Sequence, residues 1–215
     1  MRRFRAILFD LDGTLADTLA DLANAVNHAL ITLGCSPHPL PAYRYFVGDG
    51  ARNLILRALP ADKSTLAEEA LELMRVYYDE HCFDQTRLYP GVSEMVDELH
   101  RRGITQAVFS NKPDLFTKRM VSHYFPHAHF AIVRGQLPHL PIKPDPTVAL
   151  QIAAELKIKP SEWLYLGDTN TDMWTACAAG MFPVGALWGF RDREELIGAG
   201  AQKLVTRPEE VLHLF

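Results

Sequence analysis

The fold of this chain is decided by residues 6–13, which read AILFDLDG. Four apolar residues in a row, closed by a polar turn that contains glycine, are typical of a strand buried inside a sheet. Asp10 and Asp12 are two residues apart, so on an extended backbone their side chains point the same way. Two carboxylates held together repel each other and lose hydration unless a cation joins them. The stretch therefore predicts a cation site at the end of a buried strand. Without the rest of the chain, a turn with two solvated aspartates is an equal alternative.

Length and composition are those of an ordinary globular protein. The 215 residues are 48% hydrophobic and 22% charged, which is enough for one good core and a smaller second lobe. The net charge of −4 and the lack of a basic stripe predict no nucleic-acid partner. Arg2, Arg3 and Arg5 stand beside the first strand, and we interpret them as its solvated entrance.

Cysteine usage and hydropathy indicate a reducing compartment and no membrane partner. Cys35, Cys82 and Cys177 are odd in number, far apart and never paired as CxxC, so neither a disulfide framework nor a structural zinc site is predicted. No apolar run approaches the roughly 20 residues of a membrane helix. Asp10 and Asp12 also interrupt the apolar stretch that follows the basic start, which disfavours a signal peptide. We therefore expect a cytoplasmic protein.

The order of the predicted elements indicates an α/β protein with a doubly wound parallel sheet. From residue 88 onward short apolar strands alternate with helices, which is typical of a parallel sheet covered on both faces. Residues 16–85 instead read as helices throughout and interrupt this alternation after the first strand. We therefore predict a core domain of residues 1–15 and 87–215, with a helical cap domain of residues 16–86 inserted into it.

The position of the cap follows from this topology. An insertion after the first strand leaves the sheet at the carboxyl ends of its strands, where open α/β sheets bind ligands. The cap is thus expected above Asp10 and Asp12 as a lid, with hinges near residues 15–16 and 86–88. The principal predicted elements are a helix over 15–33 that stops at Gly34, helices over 51–59, 66–83 and 144–157, and strands over 104–109 and 163–166.

Further polar groups follow the predicted strands. They are Ser110 and Asn111 after the strand ending at 109, Lys143 in the loop PIKP, and Asp168 and Asp172 after the strand ending at 166. Each alone is explained by a turn, a helix cap or a solvated lysine. Because the carboxyl ends of parallel strands share one crevice, however, we expect these groups to lie together. A divalent cation such as Mg²⁺ would then offset the negative charge, while Lys143 and Ser110 would bind the oxygens of a phosphate.

Four motifs together resemble those of the haloacid dehalogenase superfamily. They are FDLDGTL at residues 9–15, Ser110-Asn111, Lys143-Pro144, and Gly167-Asp168 with Asp172, and they extend in the right order over nearly the whole chain. The helical insertion is similar to the cap that this superfamily places after its first motif. Shorter stretches are similar to the phosphoglycolate phosphatase branch, namely VGDGA at 47–51, YPGV at 89–92, NKP at 111–113 and WGF at 188–190. The resemblance implies a hydrolase of phosphate esters.

The resemblance implies a chemical role for each matching carboxylate. Asp10 would attack phosphorus and form an aspartyl-phosphate. Asp12 would protonate the leaving alkoxide and then deprotonate the attacking water. Asp10, the backbone carbonyl of Asp12 and Asp168 would hold Mg²⁺. Asp172 would be a further ligand or a hydrogen-bond partner of the ligands.

Other residues are expected to bind the substrate. Under the same resemblance Ser110 would donate to a phosphoryl oxygen, and Lys143 would hold the nucleophile and the phosphate together. Gly13 is expected at the tight turn beside the phosphate, and Asn111 beside Ser110. Arg52 could contact a carboxylate of the substrate, although it also reads as an exposed arginine in the first turn of a helix.

Several functions stay open at this point. The expected substrate is a small phosphate ester, with 2-phosphoglycolate as the first candidate, and the chain is expected to be a monomer or a homodimer. The alternatives are an inorganic pyrophosphatase, a sugar-phosphate phosphatase or a phosphomutase of the same superfamily. A dehalogenase would lack a carboxylate at the position of Asp12. A non-catalytic phosphate-binding or signalling module is a more remote alternative, because it fits the long insertion poorly. We interpret His123, His127 and His129 as solvated histidines rather than metal ligands.

Overall fold

The computed structural model describes residues 4–127 and 130–215, so Arg2, Arg3 and His129 lie outside the described part. Its strands are β1 (Ala6–Phe9), β2 (Ala16–Asp17), β3 (Arg87–Leu88), β4 (Thr105–Pro113), β5 (Phe130–Gln136), β6 (Trp163–Gly167), β7 (Phe182–Ala186) and β8 (Lys203–Val205). Six of them form a sheet in the order β5-β4-β1-β6-β7-β8. Every neighbouring pair in this sheet is parallel.

Helices connect the strands. They are α1 (Leu19–Thr32), α2 (Leu40–Phe46), α3 (Ala51–Ala58), α4 (Ala67–His81), α5 (Val92–Arg101), α6 (Asp114–Tyr124), α7 (Thr147–Glu155), α8 (Asn170–Ala179) and α9 (Arg193–Gly198). Short 3₁₀ segments cover Ala61–Leu66, Pro160–Glu162 and Pro208–Leu214. In the part of the chain that the structure describes, no helix has both the length and the apolar character needed to cross a membrane.

The central strand β1 packs against helices on both faces of the sheet. Successive strand residues point to opposite faces. Ile7 accordingly belongs to an apolar cluster with Met95 of α5, whereas Leu8 belongs to a separate cluster with Ile152 of α7 and Ala176 of α8. All four residues of β1 are buried, which explains their uninterrupted apolar character. The predicted α/β fold with a doubly wound parallel sheet is confirmed.

Helices α1 to α4 pack against one another in the segment between β2 and β3. The proline-rich stretch before α2 is fixed by Asn27 of α1. The Asn27 side chain accepts from the His38 backbone N–H at 2.9 Å and donates to the His38 carbonyl at 3.0 Å. It also accepts from the hydroxyl of the buried Tyr43 at 2.7 Å. The apolar residues of these helices join the same core cluster as Ile7 and Met95, and the partly buried Asn27 fixes the loop before α2.

The prediction that the first helix begins at residue 15 is wrong. Ala16 and Asp17 form β2, which pairs antiparallel with β3, and α1 begins only at Leu19. The backbone N–H groups of Leu15 and Ala16 instead donate to the carbonyl of Leu11 at 3.0 Å. The chain thus leaves and re-enters the sheet region through a two-stranded ribbon made of β2 and β3, which helical periodicity could not reveal.

A buried carboxylate joins α1 to the ribbon. Asp21, which is 1% exposed, accepts from the backbone N–H groups of Gln85 and Thr86 at 3.0 and 2.8 Å and from the Thr86 hydroxyl at 2.7 Å. These donors satisfy the carboxylate where water cannot reach it. The start of α1 and the segment just before β3 are therefore held together.

Candidate active site

The first two aspartates lie at the carboxyl end of β1, where the chain turns sharply. The Asp10 backbone N–H still donates to the carbonyl of Leu166 in β6 at 3.0 Å, so Asp10 keeps strand geometry. The following turn closes with the Gly13 N–H donating to the carbonyl of Ala16 at 2.8 Å. Gly13 has a φ of 85°, which glycine adopts without strain. A Cβ at Gly13 would also overlap the carboxylate of Asp168, so this position admits only glycine.

Lys143 lies between two buried carboxylates. Its Nζ is 2.9 Å from Asp10 Oδ1 and 2.6 Å from Asp172 Oδ1, and its side chain is only 1% exposed. Asn111 fixes the loop that carries Lys143, because its side chain accepts from the Lys143 N–H at 2.8 Å and donates to the Lys143 carbonyl at 3.1 Å. The Asn111 amide also donates to the carbonyl of Gly48 at 3.0 Å. Asn111 therefore holds backbone in place at the site.

Asp168 follows β6 and is fully buried beside the first turn. Its Oδ1 accepts from the Thr14 hydroxyl at 2.9 Å, and its Oδ2 accepts from the Phe190 N–H at 2.8 Å. Asp172 lies one helical turn further on, in α8. Its Oδ2 accepts from the N–H and the hydroxyl of Thr169 at 3.1 and 2.7 Å. Both carboxylates are therefore held in fixed orientations.

Three of these carboxylates form a compact buried group. One oxygen each of Asp10, Asp168 and Asp172 lies within 4.8 Å of the others. Burial, followed by the charges of Asp172 and Asp10, raises the pKa of Asp168 well above its usual range. Burial and the charge of Asp172 also raise the pKa of Asp10 to about 7, against the opposing effect of Lys143. These three carboxylates thus carry more negative charge than Lys143 alone offsets.

The lysine itself stays charged in this setting. Burial lowers the pKa of Lys143, but the charges of Asp10 and Asp172 outweigh that effect and raise the pKa well above its ordinary value. Lys143 Nζ is close to Asp10 Oδ1 without being aligned as a hydrogen bond, so that oxygen has no hydrogen-bond donor among the described residues. An oxygen of this kind beside two further carboxylates suits a hard divalent cation.

Asp12 is placed differently from Asp10. Its Oδ1 accepts from the Thr18 hydroxyl at 2.7 Å and from Lys112 Nζ at 3.0 Å, and its side chain is 12% exposed. Neither Thr18 nor Lys112 was among the site residues predicted from the sequence. The stretch NKP at residues 111–113 could have indicated Lys112, because this lysine lies two residues after Ser110.

Ser110 lies on β4 rather than after it. The predicted strand ends at 109, whereas β4 continues to Pro113, which pairs with Gln136 of β5 after an irregularity in the register. Ser110 is buried, and its Oγ accepts from the Lys112 N–H at 3.3 Å. Ser110 and Asn111 both line the cavity described next.

A cavity of about 460 Å³ connects these groups with the helices. Asp10, Asp12 and Ser110 line one side of it, and Leu54, Met74 and Tyr78 of α3 and α4 line the other. The helical side is thus mostly apolar. The cavity is large enough for a small organic phosphate, since ligand pockets start at roughly 300 Å³.

Arg52 lies at the edge of this cavity, and its guanidinium already has a partner. Its Nε is 3.0 Å from Glu68 Oε1, and its side chain is 62% exposed. His123 and His127 are exposed, in agreement with the interpretation of them as solvated. Within residues 4–127 and 130–215, the acidic group of the site includes no histidine.

The loop after β7 closes the site from the side. Trp188 Nε1 donates to the carbonyl of Thr14 at 3.0 Å, next to the Phe190 N–H that binds Asp168. Arg191 of the same loop donates to the carbonyl of Val47 at 3.0 Å. In return, Arg44 of α2 donates to the carbonyl of Gly189 at 2.6 Å. One loop therefore contacts Asp168, the first turn and the helical segment.

Comparisons with known proteins agree with this geometry. The family described as haloacid dehalogenase-like hydrolase matches residues 7–186. A phosphoglycolate phosphatase of Pseudomonas putida KT2440 is 37% identical over an alignment of 195 positions, and the alignment covers 86% of this chain and 70% of that protein. The crystal structure of a predicted phosphoglycolate phosphatase from Haemophilus somnus 129PT has a TM-score of 0.91 and 26% identity, covering 100% and 99% of the two chains. CbbY of Rhodobacter sphaeroides in complex with phosphate has a TM-score of 0.77 and 25% identity, covering 97% and 96%.

The family match extends over most of the chain and includes the strands that carry the buried carboxylates. The chain therefore belongs to the haloacid dehalogenase-like hydrolases. Within this family it groups with relatives that carry the name phosphoglycolate phosphatase, so it is a hydrolase of the phosphatase branch. The predicted superfamily and enzyme class are confirmed.

Proposed function

We propose that this protein is a Mg²⁺-dependent phosphomonoester hydrolase that acts through an aspartyl-phosphate. The observation that carries the proposal is the buried group of Asp10, Lys143, Asp168 and Asp172, which meets the cavity through Asp10. A carboxylate held by a buried ammonium, beside further carboxylates that suit a cation, is an arrangement for attack on a dianionic phosphate. Asp12 lies at the same strand end and supplies the proton transfers.

Each residue has a definite task in this reaction. Asp10 attacks phosphorus, the bond from phosphorus to the leaving oxygen breaks, and Asp12 gives its proton to that oxygen. Water then attacks phosphorus and passes a proton to Asp12, while the bond between Asp10 and phosphorus breaks. Lys143 and Ser110 bind phosphoryl oxygens and stabilise the charge that develops on them. The products are an alcohol and inorganic phosphate.

Asp10, the Asp12 carbonyl and Asp168 are the residues that would hold Mg²⁺. The donor set is all oxygen, and it is buried with excess negative charge, as a hard divalent cation requires. When bound, the cation would offset the charge of the incoming phosphate and of its transition state. Asp172 Oδ1 accepts from Lys143 Nζ at 2.6 Å, so we assign Asp172 to orienting the lysine.

We also propose that residues 16–86 form the cap that closes over the substrate. The chain enters the helical segment through β2 and leaves it through β3, and these two strands pair side by side. We therefore place a single hinge there, near the predicted positions 15–16 and 86–88. The cavity wall made by α3 and α4 would exclude water in the first step and admit it in the second. We assign to substrate binding Gly13, Asn111 and Arg52. Asn111 acts indirectly, by holding the backbone around Lys143 in place.

The first candidate substrate is 2-phosphoglycolate, supported by the names of the similar relatives. We expect the purified protein with Mg²⁺ to release inorganic phosphate from it faster than from pyrophosphate or sugar phosphates, measured as kcat/KM over a substrate panel. Faster turnover of pyrophosphate would select the pyrophosphatase alternative. Conversion of a sugar 1-phosphate to its 6-phosphate without phosphate release would select the phosphomutase alternative.

Binding of Mg²⁺ is expected to stabilise the fold. Because Asp10, Asp168 and Asp172 share one buried volume, a cation that binds only the folded state raises stability, by about 2.7 kcal/mol at 100 times its Kd. Thermal unfolding with and without Mg²⁺ measures this as a rise in Tm. The rise should be absent from Asp168→Asn and unchanged in the control Asp62→Asn, whose side chain is exposed. An equal rise in Asp168→Asn would contradict the assignment of the metal ligands.

A further inference from the structure

Lys112 lies against the Asp12 carboxylate in a buried setting. Its Nζ is 3.0 Å from Asp12 Oδ1 and 3.4 Å from Oδ2, and it donates to the Tyr78 hydroxyl at 2.8 Å. The Lys112 side chain is 3% exposed. A buried ammonium needs partners for its charge and its N–H groups, so these contacts fix the position of the nitrogen. Tyr78 belongs to α4, and Lys112 therefore also joins the sheet to the helical segment.

The two oxygens of Asp12 have different surroundings. Oδ1 accepts from the Thr18 hydroxyl at 2.7 Å and from Lys112 Nζ at 3.0 Å. Among the residues that the structure describes, Oδ2 has a hydrogen-bond contact only to the same ammonium, at 3.4 Å. An oxygen that already accepts two hydrogen bonds, one of them from a cation, is a poor position for a proton. The proton of a carboxylic acid at this position therefore belongs on Oδ2.

We propose that Lys112 and Thr18 together select Oδ2 of Asp12 as the oxygen that gives and takes the proton during catalysis. This inference rests on the proposed function, in which Asp12 is the acid and the base. The Oδ2–H bond breaks as the leaving oxygen takes the proton and its bond to phosphorus breaks. The proton from the attacking water later restores the Oδ2–H bond. Lys112 keeps its own protons throughout, so it is a positioning residue, and Tyr78 holds it in place.

The choice of leaving group separates this role from a merely structural one. A p-nitrophenolate leaves without a proton, whereas the alkoxide of an alkyl phosphate needs one. A proton donor in the transition state contributes about 10²- to 10⁴-fold. A misplaced Asp12 should therefore slow formation of the aspartyl-phosphate from alkyl phosphates and spare its formation from p-nitrophenyl phosphate. This first step is what kcat/KM reports, whereas the later hydrolysis of the aspartyl-phosphate is common to both substrates. A damaged fold would slow both substrates alike.

The experiment compares kcat/KM for 2-phosphoglycolate and for p-nitrophenyl phosphate in Lys112→Met, which keeps an unbranched side chain without donors. We expect kcat/KM to fall about 100-fold for 2-phosphoglycolate and less than about 3-fold for p-nitrophenyl phosphate. Tyr78→Phe keeps the ring and should shift the same ratio in the same direction by a smaller factor. The matched control is Lys118→Met, whose side chain is 58% exposed and pairs with Asp114, and the ratio should not change.

Two results would overturn the inference. One is an unchanged ratio of the two kcat/KM values in folded Lys112→Met. The other is a rise in KM for 2-phosphoglycolate with kcat unchanged, which would show that Lys112 binds the substrate instead. If Lys112→Met does not fold, the ratio in Tyr78→Phe and in the nearly isosteric Thr18→Val decides in the same way. Failure of the proposed function is separate, since the wild-type protein would then hydrolyse neither substrate.

Discussion

Replacement of Asp10 by Asn is expected to lower phosphate release by at least about 10⁴-fold, because an amide cannot form the aspartyl-phosphate. The variant keeps the shape of the side chain and its place at the end of β1. Phosphate release under saturating substrate and Mg²⁺ measures the effect, with Asp62→Asn as the control for an exposed aspartate. Activity within tenfold of the wild type would remove Asp10 from the role of nucleophile.

The same variant should fold at least as well as the wild type, which separates chemistry from structure. Burial raises the pKa of Asp10 to about 7, so the folded state disfavours its charged form. An acid with a raised pKa binds its proton more tightly when folded, and its stabilising contribution is lost as the pH rises from its unfolded pKa to its folded pKa. At pH 8 and without divalent ions, Asp10→Asn removes the free-energy cost of burying a charged carboxylate. Urea unfolding at pH 8 should therefore give an equal or higher free energy of unfolding.

Replacement of Lys143 by Met is expected to have the second largest effect, on both stability and activity. The ammonium is the charge partner of Asp10 and Asp172, and its loss leaves these carboxylates unpaired in a buried volume. Removal of one partner of a buried ion pair costs about 3–5 kcal/mol. We expect a loss of this size in urea unfolding and a fall in kcat of about 10³-fold, since the phosphate also loses its cation.

A double variant distinguishes the two effects of Lys143. Lys143→Met with Asp172→Asn removes the charge pair as a unit, so it should recover most of the stability that Lys143→Met loses. Its activity should stay low, because Asp172→Asn restores no cation for the phosphate. A loss of stability below about 1 kcal/mol in Lys143→Met would contradict the ion pairs described for this site. Recovery of activity in the double variant would contradict the role of Lys143 in phosphate binding.

The sequence predicted the parts of this fold that depend on local patterns. The apolar run of β1, the carboxylates that follow it and the alternation after residue 88 are local features, and each has a direct structural reading. The resemblance to one superfamily then indicated which polar strand ends belong together. The structure places Lys143 against Asp10 and Asp172, and brings one oxygen each of Asp10, Asp168 and Asp172 within 4.8 Å of the others, as those patterns indicated.

The remaining parts depend on pairing between distant segments, which local patterns do not encode. Ala16 and Asp17 are extended only because β3, some 70 residues later, pairs with them. β4 runs past residue 109 because β5 continues beside it. Lys112 became recognisable as a site residue only when the fold placed it between Asp12 and Tyr78. Lysines are mostly exposed in folded proteins, so the residue type alone gave little reason to choose it.

In the proposed closing motion of the helical segment, the ribbon of β2 and β3 is the pivot. Asp12 and Thr18 lie within a few residues of this ribbon, whereas Arg52 and Arg75 line the cavity from α3 and α4. A rotation about the ribbon would displace the side chains of α3 and α4 more than Asp12 and Thr18. Mutations at Arg52 or Arg75 would then change the choice of substrate while the contact between Thr18 and Asp12 is kept.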